Sequence, residues 1–159
     1  MNPGEPIAVV VYFGRARGIP WWARLFRLRP DFTHCGIMLR TDISWIALDP
    51  LAHWMQIGWA GQWELDGFTM AERLVYDRGF TAAVFAFIRP PAQEFRFPWP
   101  ATCVEIVKRA LGHRFGFVFT PRQLFRFLAR HPDTAGVFHD ADADWPARPD
   151  PRDSAELAD

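Results

Sequence analysis

The chain has 159 residues, half of them hydrophobic, which supplies one ordinary core and excludes two comfortable ones. Formal net charge is zero, and the two cysteines are too few for a disulfide scaffold and lack the CxxC pairing of a zinc site. No apolar run approaches the ~20 residues of a membrane span, and the N-terminal segment lacks the pattern of a signal peptide, so a single cytoplasmic α+β domain is expected.

Charge is distributed unevenly. Arg15, Arg17, Arg24, Arg27, Arg29 and Arg40 face only Glu5 and Asp31 near the N-terminus, whereas acidic residues outnumber Arg148 and Arg152 from Asp133 onward. With Pro146, Pro149 and Pro151 interrupting any regular element, residues 140–159 are expected to form a disordered tail on a domain spanning 1–139.

Taken in chain order, Ile7 to Phe13 is dense in β-branched residues and bounded by Pro6 and Gly14, which predicts a buried strand. Pro20 opens a helical stretch with Trp21, Trp22, Leu25 and Phe26 on one side, and Pro30 ends it. Phe32–Leu39 and Ile43–Asp49 read as a hairpin. Pairing Arg40 with Ile43 sets His34 opposite Asp49, Gly36 opposite Ala47 and Met38 opposite Trp45 on one face. The apolar face then carries Cys35 with Leu48 and Ile37 with Ile46, which makes Cys35 a core residue not bridged to Cys103. Residues 54–72 give no clean period and are read as short strands and loops, followed by strands over Arg73–Asp77 and Thr81–Ile88. Thr102-Cys103-Val104-Glu105 fits a capping box that starts a helix closed by Gly112. Thr120-Pro121-Arg122-Gln123 repeats the signal for a helix reaching about Arg130.

Cys103 at a helix start is where free backbone N–H groups and the helix dipole favour a thiolate, and the same N–H groups can receive an oxyanion. A thiol nucleophile needs a base and a group that orients the base; His34 with Asp49 across from it supplies both. Taken singly, each has an ordinary structural reading: a small buried cysteine, a satisfied histidine, a strand-end aspartate before Pro50. Asp140, Asp142 and Asp144 imitate the start of an EF-hand loop, but Trp145 stands where the glycine belongs and Pro151 where the glutamate belongs. His113, His131 and His139 read as solvated residues near helix ends or loops, and no metal or cofactor is expected. The arginines beside Trp21 and Trp22 suit a helix packed on the sheet with its charges in solvent, without a nucleic-acid partner.

Phe32-Thr33-His34-Cys35-Gly36-Ile37 resembles the F-[ST]-H-x-G-[IV] strand motif of the circularly permuted papain-like cysteine hydrolases, the permuted relatives of NlpC-type cell-wall peptidases. The segment from Thr102 to Gly112 is similar to their [ST]-C-x-[EQ]-[LIV]-V helix, and the histidine strand precedes the cysteine helix as in that family. The resemblance covers roughly residues 5–130. It implies a permuted papain-like α+β fold, with an antiparallel sheet packed against the cysteine helix. It also implies hydrolysis of an amide, ester or thioester through an acyl-thiol intermediate, with a cell-wall peptide as one substrate class. Cys103 would be the nucleophile and His34 its base. The family's third polar residue usually lies nearer its histidine than Asp49 does to His34, so Ser44 and His53 stand beside Asp49 as candidates. The Cys103 backbone N–H would form half of the oxyanion hole and Tyr12 would supply a second donor. Trp99, between Pro98 and Pro100, and Trp45 are expected to wall the substrate cleft.

An acyltransferase would use the same residues. The reading from a different class is a noncatalytic binding or assembly module on the same fold, such as a phage structural component. Cys103 is expected to face the His34 side of the hairpin, with sulfur and an imidazole nitrogen within about 3–5 Å.

Overall fold

The computed structural model describes residues 6–15, 30–50, 55–59, 65–88, 102–112 and 117–140. The helix expected after Pro20, together with His53, Trp99, His113 and the acidic tail beyond residue 140, lies outside the described residues. The molecule is an α+β protein in which three helices pack on a six-stranded antiparallel sheet of order β4-β3-β2-β1-β5-β6.

Strand β1 (Ile7–Gly14) lies inside the sheet between β2 (His34–Arg40) and β5 (Ala82–Ile88). Both of its faces are covered, which is why the sequence runs IAVVVYF with no polar alternation. Val9, Val11 and Phe13 join Cys35, Ile37 and Val84 on one face; Val10 and Tyr12 join Met38, Ala83 and Phe85 on the other.

The second face is covered by helix α1 (Gly67–Tyr76), where the sequence reading expected short strands and loops up to residue 72 and a strand over Arg73–Asp77. Asp66 caps this helix, its carboxylate accepting the Thr69 N–H at 2.9 Å and the Thr69 hydroxyl at 3.0 Å. Gly67, Met70, Ala71, Leu74 and Val75 are buried at intervals of three and four, the spacing of a helix. The Leu74-Val75-Tyr76 run is β-prone in isolation, and this packed face overrides it.

The first face carries helix α2 (Cys103–Ala110) and helix α3 (Pro121–Leu128). At the start of α2 the Thr102 hydroxyl accepts the Glu105 N–H at 3.2 Å, but the expected reciprocal bond does not form. Glu105 turns instead to Lys108 at 3.2 Å and Arg109 at 3.1 Å, so the cap is one-sided. Gly112 ends the helix with φ 71°, a conformation that glycine adopts without steric cost. The cap of α3 is reciprocal: Thr120 accepts the Gln123 N–H at 3.2 Å and Gln123 accepts the Thr120 N–H at 3.1 Å.

Three further elements complete the frame. Strand β3 (Trp45–Pro50) joins β2 to β4 (Met55–Trp59). Strand β6 (Thr134–His139) pairs with β5, so His139 sits in a strand and not in a loop. A short 3₁₀ turn (Pro30–Phe32) leads into β2, and the Phe32 ring packs 6.1 Å from Phe13 and 5.3 Å from Phe125. Thr33 N–H donates to Gly14 O at 3.1 Å and the Thr81 hydroxyl donates to Asp31 O at 2.8 Å. These contacts fix the place where β2 begins, which is where His34 stands.

The hairpin keeps the expected faces but not the expected pairs. Arg40 pairs with Trp45, Leu39 with Ile46, Met38 with Ala47 and Ile37 with Leu48, a register shifted by two. Thr41 causes the shift. Its hydroxyl donates to Ser44 O at 2.7 Å and accepts the Ser44 N–H at 3.0 Å, moving the tip to Asp42 and Ile43, with Ile43 70 % exposed. A shift of two leaves every side chain on its face, because the strand period is two.

Candidate active site

Continuing this register places Asp49 opposite Gly36, not His34, so His34 and Asp49 are diagonal neighbours on one face. Their side chains span the diagonal: His34 Nε2 lies 2.5 Å from Asp49 Oδ1, with the two side chains 14 % and 32 % exposed. Gly36 between them has no side chain, and the Tyr12 ring occupies the space. A Cβ on Gly36 would stand 2.2 Å from the Tyr12 hydroxyl oxygen. From there the buried Tyr12 hydroxyl feels the Asp49 carboxylate. Burial, and then the Asp49 charge, raise the Tyr12 pKa far above its ordinary value, so the phenol remains a donor. The Tyr12 hydroxyl, expected as an oxyanion donor, is thus influenced by the Asp49 carboxylate.

Cys103 occupies the first position of α2, directly after the Thr102 cap, and is half-buried against β2. It packs on the core cluster that contains Cys35, so it meets the hairpin from the Cys35 face. The expected approach from the His34 side is replaced by packing on the Cys35 face, and His34, the first residue of β2, still acts on the thiol. There Cys103 interacts electrostatically with His34 and with Cys35. With Nε2 taken by Asp49, Nδ1 is the imidazole nitrogen left for sulfur.

Electrostatics follow from these contacts. The Cys103 pKa is held well below its usual value, first by the Cys35 thiol donating to it, then by His34 and the Cys35 N–H, against an opposing effect of burial. For His34, burial favours the neutral ring, but the hydrogen bonds to Asp49 and Cys103 and their charges outweigh it and raise the pKa to about 9. Both directions favour the charged forms, a thiolate at Cys103 and an imidazolium at His34, over the neutral pair. Cys35 itself is 0 % exposed, and burial followed by the neighbouring Cys103 pushes its thiol pKa well up.

The structure thus brings together Cys103, His34, Asp49 and Tyr12. Ser44 is excluded as a third member, since its buried hydroxyl donates to Trp45 O at 3.2 Å beside the turn at the other end of the hairpin. Trp45 does not wall a cleft: it is 0 % exposed, locked between β1, β2 and α1 with its indole N–H on Leu65 O at 3.0 Å. Cys35 is the participant that sequence reasoning missed. Its inward face was legible, but not that a helix start would dock beside it. Among the described residues no group of three or more His, Cys, Asp and Glu side chains could hold a metal ion, and no helix is long and apolar enough to cross a membrane. No protein-family model, curated protein or solved structure matches the chain.

Proposed function

We propose that this chain is a cysteine-dependent hydrolase of amide, ester or thioester bonds, working through an acyl-thiol intermediate on a permuted papain-like arrangement. The observation that carries the reading is the relay from Asp49 through His34 to Cys103 at a capped helix start. The chain order, histidine strand before cysteine helix, agrees with it.

In the first half-reaction the Cys103 thiolate attacks the substrate carbonyl carbon. Helix geometry leaves the Cys103 backbone N–H without an intrahelical acceptor, so it can donate to the oxyanion that forms. Collapse of the tetrahedral species breaks the bond to the leaving group, which takes the His34 Nδ1 proton and departs as amine, alcohol or thiol. Neutral His34 then removes a proton from water. The hydroxide attacks the acyl-thiol carbonyl, the carboxylic acid product is released, and the thiolate and imidazolium are restored. Asp49 holds the ring in position and favours its charged form throughout; Tyr12 acts through Asp49 as a positioning residue.

Alkylation by iodoacetamide across pH tests the reading. Wild-type Cys103 should react at nearly its full rate at pH 6, where a free thiol of pKa ~8.5 would be slowed more than 100-fold. His34→Ala should shift the profile to higher pH and slow the reaction at pH 6, with Cys35 still favouring the thiolate. An ordinary profile in the wild-type protein would overturn the proposal.

A further inference from the structure

Helix α3 and the turn before it carry aromatic and basic side chains together, on elements that supply nothing to the relay. Between Glu105 and Asp133 stand Lys108, Arg109, Arg114, Arg122, Arg126 and Arg130 with no acidic residue among them, in a chain whose formal net charge is zero. Lys108 and Arg109 turn back to Glu105, which leaves α3 and the residues just after it to present positive charge to solvent. Leu124, Phe125 and Leu128 are the buried side of this helix, and its outer stripe runs through Gln123, Arg126, Phe127 and Arg130 at intervals of three and four. Arg126, Phe127, Arg130, His131 and Pro132 line an open groove of about 380 Å³ at the end of that stripe.

The turn leading into α3 hides the smaller side chain and shows the larger ones. Val118 packs on the core and its carbonyl accepts a bond from the buried Lys108 ammonium at 3.4 Å, while Phe117 and Phe119 on either side of it are 89 % and 68 % exposed. Phe119 is held in place, because its N–H donates to Gln123 Oε1 at 2.9 Å and so ties it to the head of the outer stripe. Turning two phenyl rings to solvent beside a buried valine forgoes hydrophobic stabilisation, and exposed aromatics that adjoin one another mark a contact surface. We propose that the turn over residues 117–119 and the outer stripe of α3 form a docking surface for an anionic lipid bilayer. The two rings enter the headgroup and acyl boundary, and Arg126 and Arg130 meet headgroup phosphates. This surface does not depend on the acyl-thiol reading.

Charge and shape select this occupant. An anionic bilayer attracts each arginine that comes within a Debye length of it, and the nearest acid beyond the stripe, Asp133, is turned to His131 at 3.7 Å. A second copy of the chain, brought to the same stripe by a two-fold axis, would set the arginines against one another. Single-stranded nucleic acid matches the charge, but it stacks its bases on ring faces arranged along a groove, whereas Phe117 projects from a turn almost clear of its own protein. A ring so placed suits a partner soft enough to surround it, as the interfacial layer of a bilayer is. No helix of the described residues is long and apolar enough to cross a membrane, so the contact is with the bilayer surface.

Sedimentation of the full-length protein with unilamellar vesicles tests the proposal. In about 0.1 M salt, phosphatidylcholine vesicles with about 30 % phosphatidylserine should bind at least about tenfold more tightly than phosphatidylcholine alone, and about 0.5 M salt should remove most of that difference. Replacing both rings, Phe117→Ser with Phe119→Ser, should weaken binding by about tenfold or more, and Arg126→Gln and Arg130→Gln by about fivefold each. Ile43→Ser, at the exposed hairpin tip, controls for general apolar adhesion and should change binding by less than about twofold. The iodoacetamide rate of Cys103 should be unaltered in all of these variants, so failure of this proposal and failure of the hydrolase reading are seen separately. The proposal is overturned by absent vesicle binding, by equal binding to neutral and anionic vesicles, or by binding that the phenylalanine and arginine substitutions leave intact. Capture of single-stranded RNA in place of vesicles, or a loss in Ile43→Ser as large as that from the two rings, would overturn it as well. Should the double phenylalanine variant fail to fold, hydrogen exchange of the wild-type protein on anionic vesicles decides: slowed exchange over residues 117–120 upholds the surface, and protection confined to other segments removes it.

Discussion

The two ends of the β2–β3 hairpin use polar residues in opposite ways. At the turn, Thr41 and Ser44 spend their hydroxyls on neighbouring backbone groups, and the result is a register and an exposed tip. At the open end, His34 and Asp49 bond to each other, Tyr12 reaches toward Asp49, and Cys103 closes on His34 from another element. Local bonds to backbone satisfy the chain and specify shape. Side chains that meet side chains across four elements have no such structural work, and holding them half-buried costs solvation that folding alone does not require. The open end is therefore the place to look for chemistry, and the turn is its internal control.

The comparison is tested hardest at Asp49. Asp49→Asn keeps the size of the side chain but removes the charge that favours the imidazolium, so His34 should drop from about 9 toward its ordinary value near 6.5. Acyl-enzyme formation should fall by about 10³–10⁴-fold, the scale seen when the orienting carboxylate of a triad is neutralised. Mass-resolved acylation by an alkyl ester, whose leaving alkoxide needs a proton, reads this directly. In the wild-type protein, acylation needs His34 protonated to release the leaving group, so the rate should decline as pH rises through about 9. In Asp49→Asn that decline should move to lower pH, and a limb that stays in place would show that Asp49 is not the partner that tunes His34.

Gly36→Ala gives a middle-sized effect. The new methyl would overlap the Tyr12 hydroxyl, which must swing away and lose Asp49. Overpacking of this kind costs about 1–3 kcal/mol. Chemical denaturation should show that loss, and the iodoacetamide rate at pH 6 should fall several-fold as Asp49 loosens. Full reactivity in a destabilised Gly36→Ala protein would reduce Tyr12 to a packing residue.

Much of the site was legible because its signals are local or periodic. Strand parity put His34 and Asp49 on one face and Cys35 on the other, and parity survived a register error of two. The Thr102 signal located the start of the Cys103 helix although only half of its cap forms. What escaped depends on tertiary contact. Helix α1 was read as a strand over Arg73–Asp77 because local β propensity there opposes a pattern that only its packing on Val10, Tyr12 and Phe85 makes decisive. Strand β6 stands next to the acidic tail and is held by pairing with β5, a partner far away in sequence. Trp45 was assigned to a cleft because its face was correct, but face says nothing of depth, and α1 covers it. The influence of Cys35 on Cys103 required knowing that helix α2 would dock on β2.

The smallest expected effect belongs to the control end. Thr41→Ala removes a hydroxyl that both donates to Ser44 O and accepts the Ser44 N–H, leaving that N–H without its side-chain acceptor. The backbone bond from Thr41 N–H to Ser44 O at 2.8 Å remains, so the turn persists with a weakened clasp. A net hydrogen bond contributes about 1 kcal/mol, which for a chain of this size lowers the thermal midpoint by about 2–4 °C. The iodoacetamide rate of Cys103 at pH 6 should stay within about twofold of wild type, because no bond of the His34 relay involves the turn. If Thr41→Ala instead slows Cys103 as severely as Asp49→Asn does, the register set at the turn is being transmitted along β2 and β3 to the relay. The two ends would then be one coupled unit, and the inference that chemistry is confined to the open end would fail.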